Sequence, residues 1–331
     1  MPLPHRGPYA RHPRFWLCLL ALILAIGTFF IPPLNFQRAY YRYMFVFDIT
    51  QSMNVSDAGP VEAPITRLDF AKQSVVHALR TFPCGSEAGL GIFTQNRTLF
   101  MFTPVEVCEH YDEIFKTISD IEWRMAWRAR SEVSKGLYSA VKSMRQIEEP
   151  AHLVFITDGH EAPPAHAGLR IRFAGDPGAV KGIVVGVGGG KLVPIPKFDI
   201  SGDLIGYWQA DEVLQIDEFT LGRSGSVENE VMAGVDRSNL AQRIAAGTEH
   251  LSSLKEAHLR ELADEVGHRY HRLNSPQALG EFLTDAEFGY PRDKAQDIRW
   301  ILAVAALISL LLSYLPHRRN PGTGPQAALS E

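Results

Sequence analysis

The chain is short of several things that would announce a function. Cysteine is scarce, three in 331 residues, and none lies near His268 and His271, which flank Tyr270 without the ligand spacing of a zinc site. Neither charge dominates: 33 Lys and Arg stand against 37 Asp and Glu, a formal net charge of −4 with pI near 6.3. No basic stripe of the kind that reads phosphates is present, which argues against a nucleic-acid partner. A Gly-x-Ser-x-Gly elbow is absent, the near miss being Gly222-Arg-Ser-Gly-Ser. Residues 186–190, GVGGG, follow an apolar run, but no helix starts at the glycines, and phosphate binding needs that helix N-terminus. There is no internal repeat and no long low-complexity run beyond the polar C-terminal tail.

What the chain does contain begins at residues 43–52, YMFVFDITQS. This is an apolar strand of the buried type, so Asp48 emerges at its carboxyl end, where open α/β sheets place ligands. Asp48, Thr50 and Ser52 turn three oxygen side chains toward one point, which suits a hard cation such as Mg²⁺ or Ca²⁺. A second apolar run, HLVFIT at 152–157, ends on Asp158-Gly159 and brings another carboxylate to the same sheet edge. A third segment, SEVSKGLYSA at 131–140, reads as a loop entering a helix, with Ser131 placed to cap it and to offer its hydroxyl inward. Singly, each Ser or Thr reads as a cap or turn residue. Together the five define a cation site.

These segments resemble the von Willebrand factor A-type domain with its metal-ion-dependent adhesion site, whose pattern is Asp-x-Ser-x-Ser, a middle threonine and Thr-Asp-Gly. Here Thr50 and Ser131 replace the usual Ser and Thr and keep an oxygen at each place. The resemblance implies a doubly wound, mostly parallel α/β sheet over residues 41–288, with an insert at about 191–256. It implies that Thr50, Ser52 and Ser131 touch the metal directly or through water. Asp48 and Asp158 would hold waters and balance charge, leaving a position for an acidic residue of a partner. Residues 181–189 resemble the fifth strand, and 256–283 the last helix–strand–helix of bacterial A-type domains. The combination DITQSMNV, PCGS, FTPVEVC, TDGHEAPP and PIPK…GYW is most similar to the MxaL type, accessory proteins of methanol dehydrogenase systems; the segment at 193–208 is similar to Bat-type proteins. Implied partners are periplasmic or membrane proteins, other A-type proteins or a methanol dehydrogenase assembly complex, with Ca²⁺ delivered to it.

The ends point to a membrane. Residues 15–30 are apolar and free of charge, preceded by Arg6, Arg11 and Arg14; residues 300–315 are apolar, followed by His317, Arg318 and Arg319. The expected organisation is a cytoplasmic tail at 1–14, anchors at 15–34 and 298–315, a periplasmic central domain and a cytoplasmic tail at 316–331. No small-x-small cleavage site follows the first run. Cys18 lies inside it. Cys84 and Cys108 are equidistant from the turn at Asn96 of a β-hairpin, so they meet at its open end, and an oxidising compartment favours a bridge.

Around the site, EWRMAWRAR at 122–130 supplies Trp123, Trp127 and Arg128 either as an interface or, for the tryptophans, as the buried face of a short helix. His160 and Glu161 follow Asp158 and are placed either to assist the metal or face the partner, or to form an ordinary solvated loop pair; Asp57 and Glu62 carry a similar claim. The expected role is a metal-dependent binding module; a Bat-like envelope-stress scaffold is the alternative. A phosphoaspartyl enzyme would need a second aspartate where Thr50 stands, so catalysis is not expected.

Overall fold

The structure, a computed structural model, describes residues 13–32, 34–128, 130–164, 171–213 and 247–315. In chain order these form α1 (Pro13–Gly27), β1 (Leu34–Tyr40), β2 (Arg42–Asp48), α2 (Arg67–Thr81), β3 (Glu87–Thr94), β4 (Arg97–Glu106), α3 (Tyr111–Asp120) and α4 (Val133–Met144). There follow β5 (His152–Thr157), β6 (Gly182–Gly186), β7 (Val193–Pro194), β8 (Pro196–Phe198), β9 (Leu204–Tyr207) and β10 (Leu251–Ser252). The last elements are α5 (Glu256–Val266), β11 (Arg269–Arg272), α6 (Pro276–Leu283), β12 (Tyr290–Gln296) and α7 (Arg299–Tyr314). The described residues within 39–290 make one compact unit; those within 1–38 and 291–331 make another.

The central unit is a mixed α/β layer structure around a six-stranded sheet in the order β11-β6-β5-β2-β3-β4. Every neighbouring pair is parallel except β3 with β4, which form an antiparallel hairpin. Alternate side chains of a strand face opposite ways, and here both faces are apolar. From β2, Tyr43, Phe45 and Phe47 join Val154, Ile156, Ile183 and Val185 under α2, α3 and α6. Met44 and Val46 join Leu153, Phe155 and Val184 under α4 and α5. The helices answer with helical spacing, Leu137, Ala140, Val141 and Met144 on α4 and Leu259, Leu262, Ala263 and Val266 on α5. At Gly136 the helix closes on Phe93 so tightly that a Cβ would lie 2.0 Å from its ring. Cys84 and Cys108 are disulfide-bonded at the open end of the β3–β4 hairpin.

In the terminal unit α1 and α7 pack antiparallel, with Arg14 donating to the Leu315 carbonyl, and β1 pairs with β12. The two expected spanning helices come out short, at 15 and 16 residues. At 1.5 Å per residue each covers about 23 Å, against ~30 Å of bilayer hydrocarbon. No described helix is long and apolar enough to cross a membrane. The reason is local: the chain leaves α1 through turns at Phe29 and Phe30, and prolines occupy positions 32 and 33, so the apolar run continues past the helix that it starts. The basic residues at 6, 11 and 317–319 and the GRSGS segment at 222–226 lie outside the described residues.

Candidate metal centre

Strand order decides where the polar residues gather. β2 and β5 are adjacent and parallel, with Phe47 beside Ile156, so Asp48 and Asp158 leave the sheet side by side at its carboxyl edge. Both carboxylates are fully buried. Asp48 Oδ1 accepts the Thr50 amide at 2.9 Å, which bends the chain into the short turn Gln51–Asn54, and Oδ2 accepts the Thr157 hydroxyl at 2.6 Å. Thr50 Oγ1 and Ser52 Oγ then stand 3.4 Å apart. Ser131 reaches them from the third segment through a short antiparallel bridge to Ala162, and its hydroxyl donates to the His160 carbonyl at 2.8 Å. Thr50, Ser52 and Ser131 line one cavity of about 330 Å³ together with Arg128, His160, Ile195, Trp208, Glu212 and Glu249.

The two aspartates have opposite surroundings. Among the described residues, no cationic side chain pairs with Asp48; burial, and then the Asp158 charge, push its pKa up to about 7. Burial alone would raise Asp158 too, but Arg67 and His160 hold it below the usual carboxylate range. Arg67, first residue of α2 and fully buried, donates through Nη1 to Asp158 Oδ2 at 2.5 Å and to Ser252 Oγ at 2.7 Å. Its other edge forks onto Asp57, Nε to Oδ1 at 2.8 Å and Nη2 to Oδ2 at 2.7 Å. Gly188, with φ of +117°, makes room for this: a Cβ there would lie 2.5 Å from Arg67 Nε. The glycine run after β6 thus accommodates a guanidinium. Ser252 closes the ring by donating to Asp158 Oδ2 at 3.0 Å.

The donor set fits a hard divalent cation. Three hydroxyls face one cavity, and behind them lies a buried carboxylate whose partners among the described residues are neutral donors. Oxygen-only sets of this kind suit Mg²⁺ or Ca²⁺, and burying a carboxylate without a positive partner is costly.

Other expectations are corrected. Ser131 does not cap α4: the N-cap residue is Glu132, which makes no side-chain cap bond, and the Ser131 hydroxyl is committed to His160. The α4 terminus is served from another loop by Glu161, whose Oε1 accepts the Ser134 amide at 2.8 Å and hydroxyl at 2.6 Å, with His258 Nε2 3.4 Å away. Glu161 therefore faces the helix, not the cavity. His160 binds Asp158 Oδ1 through its amide at 2.9 Å, while its ring Nε2 meets the Glu249 carbonyl at 3.1 Å. The tryptophans do not form one helix face. Trp123 stacks on Phe198, whereas Trp127 is exposed and donates to Gln95 at 3.1 Å. Arg128 lines the 330 Å³ cavity and a neighbouring hollow beside both tryptophans. Glu62 is exposed. Apart from these corrections, His268 and His271 pack in the fold, His268 donating from Nε2 to the Val180 carbonyl at 3.0 Å and His271 stacking on Phe282. Arg67, Ser252 and Glu249 are the residues that the motif pattern missed; an arginine at the start of an amphipathic helix was the one available signal.

No protein-family model and no curated protein matches the chain. Solved structures do resemble it. An aerotolerance-related membrane protein from Bacteroides fragilis is 16% identical, with 73% of this chain and 96% of that one covered and a TM-score of 0.45. BatB from Bacteroides thetaiotaomicron is 15% identical with the same coverage and score. A von Willebrand factor type A structure from Catenulispora acidiphila is 10% identical, covering 82% of this chain and 43% of that one, with a TM-score of 0.35.

Proposed function

We propose that the central unit is a von Willebrand factor A-type binding module that uses a divalent cation, Mg²⁺ or Ca²⁺, to hold an acidic side chain of a partner protein. The observation that carries this is Asp48, fully buried without a cationic partner among the described residues, behind three hydroxyls that share a cavity. Thr50, Ser52 and Ser131 would hold the cation, and Asp48 and Asp158 would balance its charge. The cation supplies a positive centre for a carboxylate. Arg128, on the cavity wall, favours the approach of an acidic partner, and exposed Trp127 offers apolar area next to it. The role is binding, not catalysis, since Thr50 stands where a phosphoaspartyl enzyme carries a second carboxylate.

Calorimetric titration with Ca²⁺ and Mg²⁺ tests the site. Asp48→Asn should lose cation binding while the circular dichroism spectrum is retained; unchanged affinity in that variant refutes the assignment. Two settings follow for the partner: a cell-envelope scaffold of the Bat type, one neighbour being BatB, and maturation of a periplasmic methanol dehydrogenase, which no neighbour described above names. Co-purification from native membranes with and without chelator separates them by the protein that is lost.

The terminal unit we read as the membrane attachment, with the central domain in the periplasm. Its paired helices are apolar on their outer faces, with Trp16, Leu22, Ile23, Leu307 and Leu311 all exposed. Short helices of this composition hold to a bilayer through buried apolar area even where neither spans it alone. Flotation with lipid vesicles tests the attachment.

A further inference from the structure

The segment that closes the insert is held at three points, two of them on residues of the cation site. Ser252 donates to Asp158 and accepts from Arg67, β10 pairs with β7, and the Glu249 carbonyl meets the His160 ring at 3.1 Å. A turn closed by the Leu251 amide on the Thr248 carbonyl, 2.8 Å, presents Glu249 between these anchors. Its side chain lines the same cavity as Thr50, Ser52 and Ser131, and its Oε2 lies 3.8 Å from His160 Nε2. His160 is itself the residue that touches both Asp158, through its amide, and Ser131, through its carbonyl. Among the described residues the cavity wall also carries Glu212, whose carboxylate accepts from Lys197 at 2.5 Å.

Resting on the cation site proposed above, we infer that Glu249 is a further ligand of that site, a carboxylate supplied in cis by the chain's own return segment. A partner's acidic side chain then enters by displacing Glu249, and what the partner gains in binding is set against what Glu249 gives up. The insert thereby tunes which acids the site accepts: a weak or poorly placed carboxylate does not displace one already tethered at the cavity wall.

The test uses europium(III), an oxygen-seeking luminescent ion, bound to the full chain. Emission lifetimes in H₂O and D₂O count the waters left on the ion. Glu249→Gln should retain europium and gain about one water, because a lost carboxylate oxygen leaves its position to solvent. Glu249→Asp, which keeps the charge but falls a methylene short, should also gain water. Glu212→Gln should leave the count unchanged. A count in Glu249→Gln equal to that of the wild type, with europium bound, overturns the role of Glu249 and leaves the cation site standing. Europium that fails to bind, or that binds equally well to Asp48→Asn, removes the site and this ligand with it. Thermal unfolding of each variant checks that the fold is kept.

Discussion

Replacing Arg67 with methionine keeps most of the side chain's length and removes a guanidinium that three elements depend on. In the wild type it is fully buried, bonded to Asp158, which is fully buried, and to Asp57, whose side chain is 14% exposed. Without it, Asp158 keeps its bonds from Ser252 and the His160 amide but loses the only positive side chain hydrogen-bonded to it among the described residues. Breaking a buried pair from one side costs about 3–5 kcal/mol, because a desolvated charge is left behind. For a unit of this size that corresponds to a fall in melting temperature of roughly 6–20 °C. The assay is urea and thermal unfolding of the full chain in EDTA, so that no added cation compensates. The double variant Arg67→Met/Asp158→Asn removes the stranded charge and should be more stable than Arg67→Met alone, although it carries one more substitution. A loss below about 1 kcal/mol in the single variant, the level of an exposed pair, refutes the reasoning. So does a double variant no more stable than the single one.

His268 is buried and its pKa is pushed down to about 4, chiefly by desolvation. The unfolded chain takes up this proton near pH 6.5 and the folded chain only near 4, so stability should fall by up to about 3 kcal/mol as pH drops through that window. His268→Phe should flatten part of this limb in denaturant titrations at pH 4–8, while His152 and His160, also pushed down by burial, retain the rest; an identical limb in the variant refutes the assignment. In vesicle flotation the full chain should rise with the lipid, and Leu22→Lys combined with Leu311→Lys on the exposed faces of α1 and α7 should leave it at the bottom; equal flotation would show that these helices are not the attachment.

The parts of this structure that were legible in the sequence are those encoded by short-range pattern. The strands at 43–48 and 152–157 are continuous apolar runs, as strands buried on both faces must be, and each ends on an aspartate that the parallel pairing sets side by side. The hairpin around residues 95–97 and the meeting of Cys84 with Cys108 follow from counting along two strands. Arg67 was not legible because its partners lie 10, 91 and 185 residues away, and nothing local distinguishes it from a solvated helix-start arginine. Glu249 was hidden for the same reason, in a segment without periodicity. Ser131 misled because its spacing before the helix is that of a cap, while its hydroxyl answers to His160, 29 residues on. The helix lengths misled because an apolar run reports hydrophobicity, and the turn that ends α1 is set by backbone geometry.

The two borders of the six-stranded sheet are unlike the interior. One is β4, whose pairing with β3 slips twice, between Ala88 and Leu90 and between Leu90 and Gly91, and which carries Pro104 near its end. The other is β11, four residues long, with Arg269 and Arg272 paired to Glu287 and Glu256. A slipped strand with a missing amide hydrogen and a short charged strand are both poor templates for another chain's backbone. Concentrated along a surface, copies of this unit would resist zipping together through their sheets.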